Sequence, residues 1–384
     1  YINAYKNFIV AFAQHLRQSP YKSALLGVRQ NFNAIGTELG WLYGDQINLA
    51  NWVPAPNGHK YEVEWTSQIY TDYRREIISA HIDAFRPDIC LFIRNNVFYD
   101  DILTPVQVDM VDRGELALFH TSSEHQPRVY SEYSNEDFKF ILFQQYCLSG
   151  KTTGYTEPWN PSTTNDWGIE PLQYNYWRLL LDLNCGISFI SLKYTDLDLR
   201  TNAEFNDAFI FAAKYAGYHA SPRVSPGGWV GLREGESLKG DYNFLMRRLQ
   251  DVSTDTPLAL QGPTSQRYGL WARSISGGNS MVFQMDRSLA SSLASAQIRI
   301  VYLDEGTNSF TLAWDEGGAT RQQTVQKQNT GQWQEYVVEV PMARFTSALN
   351  GGDIMLTGTG TNIFHMVEVL RTGTTEAKSW QQYN

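Results

Sequence analysis

Cysteine and long apolar stretches are both scarce in this sequence. Its three cysteines, Cys90, Cys147 and Cys185, cannot all pair, and no CxxC motif is present. We therefore predict neither a disulfide framework nor a cysteine-based metal site. Each cysteine lies in an apolar segment, which predicts a small buried side chain. No apolar run approaches the ~20 residues that a membrane-spanning helix needs, so we expect no membrane span.

Positive charge is in the minority. The 384 residues include 31 Lys and Arg against 40 Asp and Glu, which gives a formal net charge of −9. A nucleic-acid-binding domain is normally basic, so we expect no nucleic-acid partner. With 18% charged and 42% hydrophobic residues, the composition is that of a folded chain rather than a disordered one. The length predicts two domains, or one large domain with an appendage.

Several catalytic motifs are missing as well. The sequence has no glycine-rich phosphate loop of either standard type, no GxSxG nucleophile elbow and no HExxH motif. Nucleotide enzymes and those hydrolase classes therefore lose support. Aromatic residues are plentiful instead, at 14% with 11 Trp and 22 Tyr. A flat ring with a polar edge suits contact with a sugar, although core packing is the commoner role of any single aromatic residue.

The first part of the chain alternates between two patterns. Apolar residues at helical spacing predict helices over 5–17, 66–85 and 172–183. Short apolar runs between them predict buried strands. These runs are residues 88–93, 115–120, 152–157 and 187–192. The alternation predicts about five parallel strands with helical crossovers up to about residue 216, which fits either a long open sheet or an eight-stranded barrel.

The sequence pattern changes after about residue 216. Residues 217–257 are rich in Pro and Gly at their start and predict a linker with a short helix around 243–250. Residues 258–372 consist of strand-like runs separated by Gly, Asn and Asp, which predicts a β-sandwich of two antiparallel sheets that folds when expressed alone. Residues 373–384 are expected to form a tail.

Two glutamates follow predicted strands in the first part. Glu38 comes in the loop after the first predicted strand, and Glu157 ends the strand TTGYTE. Catalytic groups gather at the carboxyl ends of parallel strands, and a pair of carboxylates can cleave a glycosidic bond. Each glutamate could equally be an ordinary loop residue or a charge at a helix N-terminus.

With these two glutamates, residues 1–216 resemble the clan A retaining glycoside hydrolases, which include agarases, carrageenases and β-galactosidases. The resemblance rests on Glu38 in Gly36-Thr37-Glu38 and on Glu157 in Tyr155-Thr156-Glu157-Pro158-Trp159, three predicted strands later. It implies a (β/α)₈ barrel in which ISFISL is strand eight. Strands one to three would then precede Tyr1 or come from another chain.

The resemblance also implies roles for individual residues. Glu38 is expected to act as the acid/base and Glu157 as the nucleophile, without a metal or an organic cofactor. Thr37 stands where the family usually has an asparagine that binds the sugar 2-hydroxyl. Further sugar contacts are expected from residues in loops or at strand ends on the same side, namely Trp41, Trp52, Arg94, His120, Glu124, His125, Trp159 and Tyr194. For His120, Glu124 and His125, the alternatives are a solvated polar loop and a metal site.

Residues 258–372 resemble the jelly-roll modules appended to polysaccharide-degrading enzymes. Together the two parts predict a retaining glycoside hydrolase that acts on a polysaccharide, with an algal galactan such as agar or carrageenan as the substrate to test first. Such a polymer implies an extracellular or periplasmic location. Two alternatives stay open: a non-catalytic carbohydrate-binding or scaffold protein, and an inverting glycosidase that uses Glu124 or Asp109 with Glu157.

Overall fold

A computed structural model describes residues 2–31, 67–94, 109–121, 144–157, 170–191, 201–233, 240–259 and 262–373. The chain divides into two compact units. The first comprises residues 1–120 and 136–155, and the second comprises residues 121–135 and 156–384. No helix among the described residues is long and apolar enough to cross a bilayer.

The first unit begins with two long helices, close to where the apolar periodicity predicts them. Helix α1 (Ile2–Gln18) packs on helix α2 (Ser67–Phe85). Its apolar stripe buries Ile9 and Ala13, while Ile77 on α2 is fully buried. An ion pair between Lys6 and Glu76, 2.7 Å apart, links the two helices at the surface.

A parallel sheet follows the helices. Strands β1 (Val28–Arg29), β2 (Leu91–Arg94) and β3 (Ala117–Thr121) pair side by side, with Arg29 opposite Phe92 and Arg94 opposite Phe119. Strands β4 (Gly154–Glu157) and β5 (Ile187–Ile190) complete the sheet in the order β1-β2-β3-β4-β5. The expectation of about five parallel strands is confirmed.

The prediction of a (β/α)₈ barrel is wrong. In the described residues the sheet has five strands in sequential order, with β1 and β5 at its two ends, and no eight-stranded ring is formed. Alternation of strands and helices dictates parallel pairing, but it leaves closure open, because closure depends on strand number and stagger together. The predicted barrel is therefore replaced by a five-stranded parallel sheet and, later in the chain, an antiparallel sandwich.

In its described residues, the second unit contains, besides β5, helices α3 (Pro171–Asn184) and α4 (Ala203–Tyr215), followed by twelve strands and the short helix α5 (Arg287–Ala290). In chain order the strands are β6 (Gly227–Gly231), β7 (Tyr242–Phe244), β8 (Met246–Arg248), β9 (Thr256–Ala259), β10 (Trp271–Ile275), β11 (Ser280–Met285), β12 (Ala296–Leu303), β13 (Ser309–Glu316), β14 (Ala319–Gln326), β15 (Trp333–Val340), β16 (Ile354–Gly358) and β17 (Asn362–Arg371).

These strands form two antiparallel sheets. The seven-stranded sheet runs β15-β12-β17-β10-β9, with β6 also on β17 and β7 on β6; the five-stranded sheet runs β14-β13-β16-β11-β8. Alternate side chains of both sheets meet in one apolar core, where the rings of Phe310 and Phe364 lie 5.0 Å apart. The predicted β-sandwich is thus present.

The sandwich begins earlier in the chain than predicted. The segment predicted as a linker, 217–257, contains β6 to β8 and the start of β9. The helix predicted around 243–250 is replaced by β7 and β8, which a single 3-10 turn at Gln250–Val252 follows. The glycines that indicate a linker have another cause. A Cβ on Gly227 would lie 2.0 Å from the Val369 carbonyl oxygen, so the close approach of β6 to β17 requires glycine.

Helices α3 and α4 cover part of the seven-stranded sheet. The Trp177 side chain on α3 is fully buried, and its Nε1 donates to the Gly269 carbonyl at 2.7 Å. The Tyr176 hydroxyl lies 3.1 Å from Nε2 of His365 on β17. Trp177 and Trp271 meet edge to face at 4.9 Å. Helices and sandwich therefore share one buried aromatic layer.

Candidate active site

Three of the predicted site residues lie at or near the carboxyl ends of strands in the parallel sheet. Arg94 is the last residue of β2, His120 is the fourth of the five residues of β3, and Glu157 is the last residue of β4. In open α/β sheets, ligands bind at this end of the strands. These residues therefore occupy positions from which a strand can present a functional group.

Aromatic rings and one cation cluster on the parallel sheet near these positions. The half-buried Tyr155 ring lies 5.7 Å from Phe92 and 6.0 Å from Phe119, and the Arg29 guanidinium stands 4.3 Å above the Phe119 ring. Arg94 follows Phe92 by two residues on β2, and Glu157 follows Tyr155 by two residues on β4.

His120 follows Phe119 directly on β3. Its sugar contact stays a prediction. The other predicted site residues lie outside the described residues: Thr37, Glu38, Trp41, Trp52, Glu124, His125, Trp159 and Tyr194.

Asp109 does not fit the role of a base in an inverting enzyme. It starts a helical turn before β3 and therefore precedes the amino end of that strand. Its exposed carboxylate pairs with the Arg113 Nε at 3.1 Å. The inverting alternative then depends on Glu124 alone.

Two fully buried polar side chains that the sequence pattern did not predict belong to β4 and α3. Thr156, the residue before Glu157, and Asp182 on α3 are both fully buried. Burial raises the pKa of Asp182 to about 7, while the Arg178 charge and the Thr156 hydroxyl act in the opposite direction. The available signal was an aspartate inside the apolar run Leu179–Leu183.

Other candidate chemistry is absent from the part of the chain that the structure describes. It contains no group of three or more His, Cys, Asp or Glu side chains able to hold a metal ion. None of the three cysteines forms a disulfide, and burial raises the pKa of the Cys90 thiol to about 11, which keeps it protonated. A groove of about 420 Å³ along α1 and α2, lined by Lys6 and Asp83 among others, includes none of the predicted site residues.

The tryptophans of the sandwich belong to its interior. Trp314 and Trp333 are only 8% and 3% exposed. The Trp333 ring lies 5.8 Å from His365. Core packing, which the sequence left open beside sugar binding for these two residues, is therefore their role.

Comparison with known proteins adds partial structural similarities. No protein-family model matches the chain, and no curated protein sequence matches it. One similar solved structure holds the CBM22-1 and GH10 modules of endo-1,4-beta-D-xylanase 10B from Clostridium thermocellum, complexed with xylohexaose. It is 15% identical over 35% of this chain, with a TM-score of 0.23, and this chain spans 27% of its length.

Two others are single modules. The unliganded CBM1 of BiXyn10A is 8% identical, covers 39% of this chain and 94% of its own, and has a TM-score of 0.19. TmCBM61 in complex with beta-1,4-galactotriose is 10% identical, covers 33% of this chain and 83% of its own, and has a TM-score of 0.18. Similarity at this level assigns no function to the chain.

Proposed function

We propose that the protein is a retaining glycoside hydrolase that acts on a polysaccharide, with Glu157 as nucleophile and Glu38 as acid/base. The observation that carries the proposal is the position of Glu157. It ends a strand of the parallel sheet, two residues after Tyr155, whose ring contacts Phe92 and Phe119. A half-buried aromatic ring two residues before a strand-end glutamate is a sequence of residue types that suits a sugar ring and its anomeric carbon. A closed barrel is not needed for this arrangement.

The proposed reaction has two steps. In the first, a Glu157 carboxylate oxygen bonds to the anomeric carbon while the glycosidic bond breaks, and Glu38 donates its proton to the leaving oxygen. In the second, Glu38 takes a proton from water, the water oxygen bonds to the anomeric carbon, and the ester to Glu157 breaks. The anomeric configuration is therefore retained.

The substrate belongs to the proposal as well. An algal galactan such as agar or carrageenan is the polymer to test first, and a polymer of this kind implies action outside the cytoplasm. Arg29 and Arg94, at the carboxyl ends of β1 and β2, are cations that could receive sulfate or carboxylate groups on such a chain.

Glutamate variants test the catalytic pair. Agarose, carrageenan and other polysaccharides are incubated with the protein, and products are identified by mass and NMR. We expect Glu157→Gln to abolish turnover, because an amide does not form the glycosyl ester. Glu76→Gln changes a surface glutamate paired with Lys6 and serves as the matched control. Full activity of Glu157→Gln would refute the assignment of Glu157 as the nucleophile.

The acid/base has its own signature. Glu38→Ala should lose about 10²–10⁴-fold in rate on the natural polymer, where the leaving oxygen needs a proton, and much less on an aryl glycoside with a good leaving group. Azide should restore turnover of that aryl glycoside and give a glycosyl azide of retained configuration. Near-normal activity of Glu38→Ala on the polymer would refute the assignment, and Glu124 would be tested next. Binding of a polysaccharide without turnover by the wild type would favour the non-catalytic alternative.

A further inference from the structure

We propose that strand β14 is a self-association edge, which pairs antiparallel with β14 of a second copy of the chain across a two-fold axis. The inference is independent of the proposed function, since β14 belongs to the sandwich and carries none of the predicted site residues. It gives the outer edge of the five-stranded sheet a partner of defined sequence and register.

Strand β14 has a long edge that carries no other strand of the described chain. It stands at one end of the five-stranded sheet, where it pairs with β13 alone. That pairing runs without a bulge from Ser309 opposite Gln326 to Glu316 opposite Ala319. Every side chain of β14 except Val325 is exposed. The other edge of β14 is therefore a straight, accessible row of backbone groups.

The hydrogen bonds of β13 show which backbone groups of β14 face this outer edge. The Asp315 N–H donates to the Asp353 carbonyl at 2.9 Å, and the Ser309 carbonyl accepts the Thr359 N–H at 3.0 Å. The odd-numbered residues of β13 thus bond toward β16, and its even-numbered residues bond toward odd-numbered residues of β14. The backbone groups of the even-numbered residues of β14 therefore point outward. These residues are Thr320, Gln322, Thr324 and Gln326.

An edge of this kind is normally protected by a short strand, a proline, charged side chains or a bulge. The other end strands of the described sandwich follow this rule. Strands β7 and β8 have three residues each, β9 contains Pro257, and β15 carries Glu335 and Glu339. Strand β14 has eight residues with no proline, lysine or acidic residue, and its one charge, Arg321, pairs with Glu316 at 2.6 Å. Among the described edges, β14 is thus the long one that is left open to pairing.

The backbone of β14 is complementary to that of a second copy. With the two-fold axis at Gln323, the four outward residues pair with one another in opposite order, and every outward N–H and C=O finds a partner. The pairs are Thr320 with Gln326 and Gln322 with Thr324 of the other copy. Once the two strands have paired, neither outer edge stays open, so the assembly closes at two chains.

The side chains of β14 are compatible with the same register. Arg321 stands opposite Val325 of the other copy, so no like charges meet across the interface. The two Gln323 side chains meet on the axis, where each amide offers a donor to the acceptor of the other. Charge and hydrogen bonding therefore favour a second copy of this strand as the occupant.

Sedimentation equilibrium of the full chain, from about 1 to about 200 μM, tests the assembly state. One strand pair is a small interface, so we expect a reversible monomer–dimer equilibrium with a dimer populated to about half or more at the highest concentration. A monomer at every concentration, or species larger than a dimer, would overturn the inference.

Charges on the proposed axis test the pairing itself. At low salt, Gln323→Lys and Gln323→Glu should each dimerise at least about tenfold more weakly than the wild type, because like charges then face each other. An equimolar mixture of the two should recover the dimer, because opposite charges then meet. Gln332→Lys, at an exposed glutamine outside β14, is the matched control and should dimerise as the wild type does.

A backbone variant covers the case in which a charged variant fails to fold, which circular dichroism would show. Gln322→Pro removes an outward N–H and leaves the hydrogen bonds to β13 in place, so it should also dimerise at least about tenfold more weakly. Wild-type dimerisation of Gln323→Lys or Gln322→Pro would overturn the inference, and so would a mixture of the two Gln323 variants that stays monomeric.

Discussion

Asp182 and His365 are both fully buried titratable residues, and burial moves their pKa values in opposite directions. Desolvation favours the neutral form of each group. It raises the pKa of Asp182 from 3.8 to about 7 and lowers that of His365 from 6.5 to about 3. Each residue is thus uncharged over part of the acidic range in the folded state and charged there in the unfolded chain.

The two pKa shifts make the free energy of unfolding change with pH in opposite directions. The His365 contribution is present above pH 6.5 and is lost as pH falls toward 3, because the unfolded histidine takes up a proton first. The Asp182 contribution is present below pH 3.8 and is lost as pH rises through about 7, because the unfolded aspartate ionises first. Between about pH 4 and pH 6.5 the two slopes oppose each other.

Single substitutions should therefore expose each slope. In Asp182→Asn, the free energy of unfolding should rise by about 3 kcal/mol from pH 4 to pH 6.5, since the histidine slope stands alone. In His365→Asn it should fall with pH over the same interval. Urea denaturation at several pH values measures both. Parallel pH curves for the two variants would contradict the opposing shifts.

At the scale of elements, helix α4 is tied to the seven-stranded sheet by a buried carboxylate. Glu368 on β17 is inaccessible to solvent, accepts the Tyr215 hydroxyl of α4, and pairs with Arg299 Nε at 2.5 Å. Arg299 on β12 also pairs with Glu335 of β15 at 2.9 Å. The Glu368 carboxylate on β17 thus joins helix α4 to the neighbouring strand β12.

Removing that carboxylate should be costly. Glu368→Gln leaves Arg299 buried without its main counter-charge, and we expect a loss of about 3–5 kcal/mol in the free energy of unfolding. Glu339→Gln, an exposed glutamate on β15 of the same sheet, is the matched control and should change it by less than about 0.5 kcal/mol. Equal effects of the two substitutions would show that the Arg299–Glu368 pair contributes nothing specific.

Some elements were predictable from sequence because the local pattern determines them. Helix α3 and strand β5 lie close to the ranges predicted from the apolar pattern, 172–183 and 187–192, since each is a continuous stretch rich in apolar residues. The start of the sandwich was not predictable, because the glycines around Gly227 signal a linker in sequence and a close strand contact in space. The same limit applies to closure of the parallel sheet, which depends on pairings between distant segments.

The candidate site was likewise predictable only where a local sequence pattern determines it. The placement of Glu157 at a strand end was predicted, because a short apolar run with a terminal carboxylate is a local signal. The full burial of Asp182 was not predicted, since the elements that cover this part of α3 come from distant parts of the sequence. An aspartate among leucines was visible, but what surrounds it in the folded chain was not.

At the scale of the whole molecule, the sandwich depends on segments outside its predicted range. Strand β6 pairs with β17 and β8 pairs with β11, yet both precede residue 258. On the other side, α3 buries Trp177 against the sandwich. The expectation that residues 258–372 fold alone therefore needs a direct test.

We predict that a fragment of residues 258–372 fails to show a cooperative melt, whereas residues 170–373 unfold cooperatively. The shorter fragment lacks β6 and β8, which pair with β17 and β11, and it exposes the apolar layer beneath α3. Circular dichroism during thermal unfolding distinguishes the two fragments. A sharp, reversible transition of the shorter fragment would contradict this dependence.

The position of β17 has a consequence for synthesis. This strand is the last of the sandwich in the chain, yet it lies inside its sheet, between β12 on one edge and β10 with β6 on the other. A ribosome therefore releases β6, β10 and β12 long before the strand that joins them exists. Until residue 371 emerges, those strands have unpaired edges, which are the surfaces that chaperones bind and that aggregate most readily.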